Sequence, residues 1–228
     1  MKKITLIFSI FLLLGLPSFS QDAAALVKKV KAKLDKVNDY TADGKMKTDV
    51  AFIKAPAGKV KVLYKKPNMF KIKKENGISI LPRGGISVNM SAVLSGNNYS
   101  AIASGESKVD DISVKVVKLL PTDESGDVVL TTLYIDEANS LIKKSVTSTK
   151  ENGTFDMEMT YGKYADVALP DKVVFSFNTK DYKLPKGVTL EFETGDTPKQ
   201  NLKNNKGRVE IVYTSYIINK GIADSEFK

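Results

Sequence analysis

Paired carboxylates are the first residues whose type and spacing could do chemistry: Asp110-Asp111, and Glu191 with Glu193. Residues two apart on a strand project from one face, and two carboxylates held together can split their pKa values into an acid and a base. Each pair also has a plainer reading. Asp110-Asp111 suits a turn, and Glu191 and Glu193 suit the wet face of a strand that carries Phe192 on its other side. The many serines and lysines would allow a Ser-Lys dyad in space. Composition closes the other routes, because the sequence holds no cysteine, histidine or tryptophan. Disulfide frameworks, thiolate and imidazole metal sites, cysteine nucleophiles and histidine relays are thereby removed. Neither an enzyme nor a resident cofactor is expected.

The elements that would position any site follow from the chain's organisation. At 228 residues, with 42% hydrophobic and 27% charged, the chain suits one large domain with a buried core. Lys2 and Lys3 precede an apolar run from Ile4 to Leu16, then Pro17 and the small-x-small triplet Ser18-Phe19-Ser20. Residues 1–20 therefore read as a secretory signal peptide cut before Gln21, leaving 21–228 as a single exported domain. A lipoprotein precursor would need a cysteine at the cut, and there is none. The net charge is +9, and removing Lys2 and Lys3 leaves about +7. Nearly all of it is lysine. With only Arg83 and Arg208 to read bases or clamp phosphate, nucleic acid is not an expected partner, whereas peripheral contact with an anionic membrane is compatible with the charge.

From Asp22 to Asn38, Leu26, Val27, Val30, Leu34 and Val37 recur at helical spacing with lysines between them, predicting an amphipathic helix with Asp22 as N-cap. Period two then takes over: Tyr40, Ala42, Gly44, Met46, Thr48, Val50 and Phe52 alternate with polar residues. Further runs cover Val60 to Tyr64, Phe70 to Ile72, Ile78 to Leu81, Tyr99 to Ala103 and Ile112 to Leu120. Others cover Val128 to Ile135, Leu141 to Thr149, Phe155 to Tyr161, Val173 to Phe177, Val188 to Phe192 and Val209 to Ile218. With Asn76-Gly77 and Asn152-Gly153 among the turns, this predicts about eleven antiparallel strands. Pro82 to Gly96, with Met90, Ala92, Val93 and Leu94, suits a short helical flap, and Thr194 to Gly207 a polar loop.

Geometry then bears on function. About eleven strands at about 4.8 Å spacing make a sheet roughly 50 Å wide, which one helix about 10 Å across cannot cover. The apolar face must meet another sheet in a sandwich or curl upon itself. In a curled half-barrel, Phe52, Val62, Tyr64, Phe70, Tyr99, Phe155, Met157, Phe175, Phe177 and Phe192 would line a concave apolar cavity.

The segment Val62-Leu63-Tyr64-Lys65-Lys66-Pro67-Asn68-Met69-Phe70-Lys71-Ile72 resembles the V-x-x-(K/R)-P-N-x-F-(K/R) hairpin of the bacterial lipoprotein-carrier superfamily, the LolA/LolB fold. Its setting is similar too: an exported chain, an amphipathic helix, and a strand entered at Tyr40-Thr41-Ala42. Tyr99 to Val109, Leu133-Tyr134-Ile135-Asp136, Tyr161-Gly162-Lys163-Tyr164 before Leu169-Pro170, and Ile218 to Phe227 also resemble that family. The resemblance implies a mainly β (α+β) half-barrel closed by the N-terminal helix and the flap. It also implies a periplasmic carrier, expected to be monomeric, that binds a lipid or lipoprotein acyl chain in envelope biogenesis. Partners would be an inner-membrane donor or an outer-membrane acceptor protein. Lys66 and Pro67 are the motif positions, Lys66 being a candidate to pair with an anionic headgroup. An envelope sensor using the cavity to gate a protein partner is the alternative role on the same fold.

Overall fold

The computed structural model describes residues 19–49, 57–74, 90, 94, 98–123, 125–151, 153–178 and 206–227. A single helix, α1 (Phe19–Leu34), opens the described chain, and ten strands follow. These are β1 (Asp39–Asp49), β2 (Gly58–Lys65), β3 (Met69–Lys74), β4 (Tyr99–Val109) and β5 (Ile112–Pro121), then β6 (Val128–Asp136), β7 (Leu141–Thr149), β8 (Thr154–Thr160), β9 (Lys172–Asn178) and β10 (Lys206–Ile218). Ten of the expected runs are strands here, and those at 78–81 and 188–192 lie outside the described residues. The helix begins before the anticipated N-cap, so Asp22 sits in its first turn, where a carboxylate favours the exposed N–H groups. Gly207, expected in a loop, is already strand.

All ten strands form one antiparallel sheet in the order β3-β2-β1-β10-β9-β8-β7-β6-β5-β4. Every neighbouring pair except β1 and β10 is consecutive in sequence, as expected of hairpins. No second sheet is present among the described residues, so the sandwich is set aside. Local chemistry fixes the turns. Asp110 and Asp111 both take positive φ (47° and 62°), the two-residue conformation that matches the twist of flanking strands, so this pair is a hairpin turn. Asp136 accepts hydrogen bonds from the Asn139 backbone N–H and Nδ2 at 3.1 and 2.8 Å, closing the β6-β7 turn.

The long-range β1-β10 pairing is held by a polar staple. Asn219, at φ 55°, accepts a hydrogen bond from Asn38 N–H through Oδ1 (2.7 Å) and donates one from Nδ2 to Lys36 O (2.8 Å). Asp39 Oδ1 in turn accepts from the N–H groups of Lys220 and Gly221 at 3.1 and 3.0 Å. The exit from α1 and the end of β10 are therefore tied side chain to backbone in both directions. Beyond them, Lys65 Nζ donates to Ile222 O and to Asp224 Oδ1, and Lys73 pairs with Glu226, seating the short 3-10 helix Asp224–Phe227 against β3.

Candidate functional site

Alternation along the strands sends one set of side chains to a shared face. Tyr40, Ala42 and Met46 of β1 register with Tyr64 and Val62 of β2 and with Ile211 and Tyr216 of β10. Across the sheet Phe177 faces Phe155, and Phe175 faces Met157. Leu26, Val27, Val30 and Leu34 of α1 lie over this layer, joined by Met90 and Leu94, both helical and buried. The apolar stripe of the helix thus meets the apolar face of the sheet, and Met90 and Leu94 of the cluster expected to form a flap join the same core, Ala92 and Val93 lying outside the described residues.

The positions singled out in the sequence fall as follows. Val62, Tyr64, Phe155, Met157, Phe175 and Phe177 are all buried in this core. Phe70 and Tyr99, on the edge strands β3 and β4, are half-buried and pack against it. Phe52 and Phe192 lie outside the described residues. Ring contacts knit the layer: Phe155 to Phe175 at 5.3 Å, Phe175 to Phe177 at 5.5 Å, and Tyr40 to Tyr64 at 5.3 Å between centroids. Lys66 and Pro67 occupy the β2-β3 turn. Lys66 Nζ donates to Asp35 O at 2.6 Å and lies 3.5 Å from Asp35 Oδ1, so it engages the turn that ends α1. Lys31 Nζ donates to the other carboxylate oxygen at 2.6 Å. Burial alone would raise the Asp35 pKa, but the Lys31 hydrogen bond and charge, with those of Lys66, hold it below the usual aspartate value.

Two cavities open beside the core. A groove of about 290 Å³ runs between the first turns of α1 and strands β4-β5, floored by Ala23, Leu26, Ala103 and Val117. Its rim carries Asp22, Lys29, Glu106, Lys115 and Glu137. Lys115 hydrogen-bonds Glu106, which holds the lysine above its ordinary pKa, and lies 3.9 Å from Glu137. The second cavity, only about 30 Å³, sits under Leu34 and Met90 among Tyr40, Tyr161, Tyr213 and Tyr216. Tyr161 donates to Ile142 O (2.9 Å) and Tyr216 to Pro170 O (2.7 Å), and burial raises both phenol pKa values, so they remain neutral donors.

Sequence reasoning missed polar groups on this face. Thr131, Ser145 and Thr147 are buried in it, with Thr131 and Thr147 hydroxyls 3.3 Å apart. Lys74 shares the parity of Phe70 and Ile72 and registers with Val60, so it belongs to the concave side. Its Nζ is buried without a hydrogen-bond partner among the described residues, and burial lowers its pKa. The parity of Lys74 was the available signal. The described residues hold no cluster of three metal-ligating side chains, and no described helix is long and apolar enough to cross a membrane.

One curled antiparallel sheet with a helix over its apolar side, as the described residues form, is a LolA-like fold. No protein-family model matches the sequence, and no curated protein matches it. Solved structures do match in fold. The chain is similar to a DUF1329 family protein from Desulfovibrio piger, with a TM-score of 0.57 and 10% identity over 92% of this chain and 97% of that one. It is similar to a domain named for outer membrane lipoprotein sorting from Vibrio parahaemolyticus (TM-score 0.53, 12% identity, 91% and 97% covered). A LolA superfamily protein from Nitrosomonas europaea matches comparably (TM-score 0.53, 11% identity, 90% and 97% covered).

Proposed function

We propose that this protein is a periplasmic carrier that binds a lipid or the acyl chains of a lipoprotein on the concave face of its sheet, beneath α1. The observation that carries the reading is the make-up of that face. Among the described residues, a ten-stranded apolar surface is closed by one helix with Met90 and Leu94, and not by a second sheet. Such a closure separates without breaking a sheet. Each methylene buried there would contribute about 0.8 kcal/mol, so a dozen supply roughly 10 kcal/mol before ordering costs. No signature residue is needed for that affinity. The match in fold to a domain named for lipoprotein sorting supports the reading.

In this reading Val62, Tyr64, Phe155, Met157, Phe175 and Phe177 form the floor, with Phe70 and Tyr99 at the two edges. Lys66 acts as a latch on α1, and Lys74, the buried cation on the concave side, meets an anionic head. Purification followed by native mass spectrometry and lipid extraction tests the whole. A co-purifying acylated species, or saturable uptake of a fluorescent fatty acid, is expected. A protein that carries nothing and ignores the probe overturns the proposal. Lys74→Met is expected to weaken binding of a fatty acid severalfold more than binding of the corresponding alcohol.

A further inference from the structure

We propose that the convex face of β9-β10-β1-β2-β3 is a docking surface for an anionic lipid membrane. The register sets out its rows. One reads Lys172-Val212-Lys45-Lys59, the next Ser215-Asp43-Lys61-Lys73, and the third Ile217-Thr41-Leu63-Lys71. Six lysines and one aspartate thus occupy three successive rows; at the β3 end Leu63 is buried and the 3-10 helix Asp224–Phe227 lies alongside, with Glu226 paired to Lys73. At ordinary strand and residue spacing the patch measures roughly 19 by 14 Å.

Twice the pairing sets lysine directly opposite lysine, Lys45 against Lys59 and Lys61 against Lys73. Like charges so placed destabilise a sheet. Asp43, 3.4 Å from Lys61, and Glu226 beside Lys73 face the second of these pairs. The far half of the same face is arranged otherwise: Lys144 opposes Glu158 at 3.0 Å and lies 3.8 Å from Asp156, so the signs interleave. A face selected only for solubility has no reason to concentrate one sign at one end.

The aliphatic residues point to lipid as the occupant. Val212 is 40% exposed and Ile217 55% exposed, and both stand in the basic rows. A bilayer interface accepts apolar side chains and attracts lysine in the same plane. Lysine, a point charge, serves a surface of headgroups, whereas reading one defined phosphate or carboxylate favours arginine. This inference stands apart from the ligand reading, since it requires nothing bound on the concave side.

Vesicle sedimentation of the full chain tests it, using pure phosphatidylcholine and phosphatidylcholine containing phosphatidylglycerol. Two charge-matched variants are compared: Lys45→Gln/Lys59→Gln/Lys61→Gln/Lys73→Gln in the patch, and Lys28→Gln/Lys36→Gln/Lys108→Gln/Lys118→Gln elsewhere. Thermal unfolding confirms that both are folded. With about fivefold in partition per lysine near an anionic surface, the patch variant is expected to lose at least a hundredfold on phosphatidylglycerol vesicles, and the control far less. Val212→Ser/Ile217→Ser is expected to weaken the binding that survives high salt. Equal loss in both quadruple variants overturns the proposal in favour of diffuse charge attraction. Binding retained by both overturns it in favour of another part of the chain. No binding to either vesicle overturns lipid as the occupant and leaves an acidic protein as the chemistry that fits.

Discussion

At the scale of single residues, polar side chains decide how the apolar layers are held in place. Asn219 joins positions about 180 residues apart in sequence by accepting from one backbone group and donating to another. Asp35 joins α1 to the β2-β3 turn through Lys66 and so controls how firmly the helix is seated. Its pH dependence has a definite sign. Lys31 and Lys66 depress the folded-state pKa, so the carboxylate contributes stability above its unfolded value, about pH 4, and that contribution is lost as pH falls through the lower folded value. Melting temperatures of wild type and Asp35→Asn should therefore differ by a constant amount from neutral pH to about pH 5 and converge below about pH 3. A gap that persists unchanged at pH 3 would show that the carboxylate charge is not what holds the helix end. Lys66→Ala should lower the neutral melting temperature in the same direction and weaken the pH dependence.

At the scale of elements, β9 and β10 fit closely on the concave face. Gly207 lies opposite Phe177, and a Cβ there would fall 2.4 Å from the Phe177 ring, a distance no pair of atoms tolerates. Gly207→Ala must push the ring off its contact with Phe175 or shift the strand, at about 1–3 kcal/mol, which for a chain of this size lowers the melting temperature by several degrees. Adding Phe177→Leu should recover part of that loss, because the two costs share one collision. Additive losses in the double variant would refute the steric account. The same strands show how far sequence could lead. Alternation at Tyr40 to Thr48 and Phe155 to Met159 was readable because one face is buried and the other is not. Tyr213 and Tyr216 were not readable, since they have opposite parity yet register with Gly44 and Ala42 on the same face. A bulge at Asp43/Gly44 inserts the extra residue that makes this possible, and no local composition announces it. Lys66 was legible as a motif position, but its partner Asp35 was not, because the contact depends on where α1 ends against a turn 31 residues later.

At the scale of the whole molecule, the closure of the apolar face governs how a ligand could enter. The two edge strands of the described sheet, β3 and β4, follow one another in sequence, and Met90 and Leu94 from the stretch between them are buried in the core. Helix α1 lies against β4, the opposite edge from Lys74. Between helix and sheet, Val27, Val30, Tyr64, Leu133, Met157 and Phe175 are all under 2% exposed, so the layer is closed. The α1-β4-β5 groove, about 290 Å³, lies just below the roughly 300–1,000 Å³ that ligand pockets occupy. A lipid tail reaching the aromatic floor must therefore displace part of this closure, and lifting α1 would exchange helix-to-sheet contacts for tail-to-sheet contacts. Absence of native cysteine makes this directly testable, because an engineered pair can form only one intramolecular disulfide. A pair placed across α1 and β4 at a Cα separation of about 4.4–6.8 Å would tether the helix without straining it. The oxidised protein should melt at a higher temperature yet fail to take up a fluorescent fatty acid, and reduction should restore uptake. Equal uptake by oxidised and reduced protein would mean that the tail enters without displacing α1, and the groove beside it would then be the site itself.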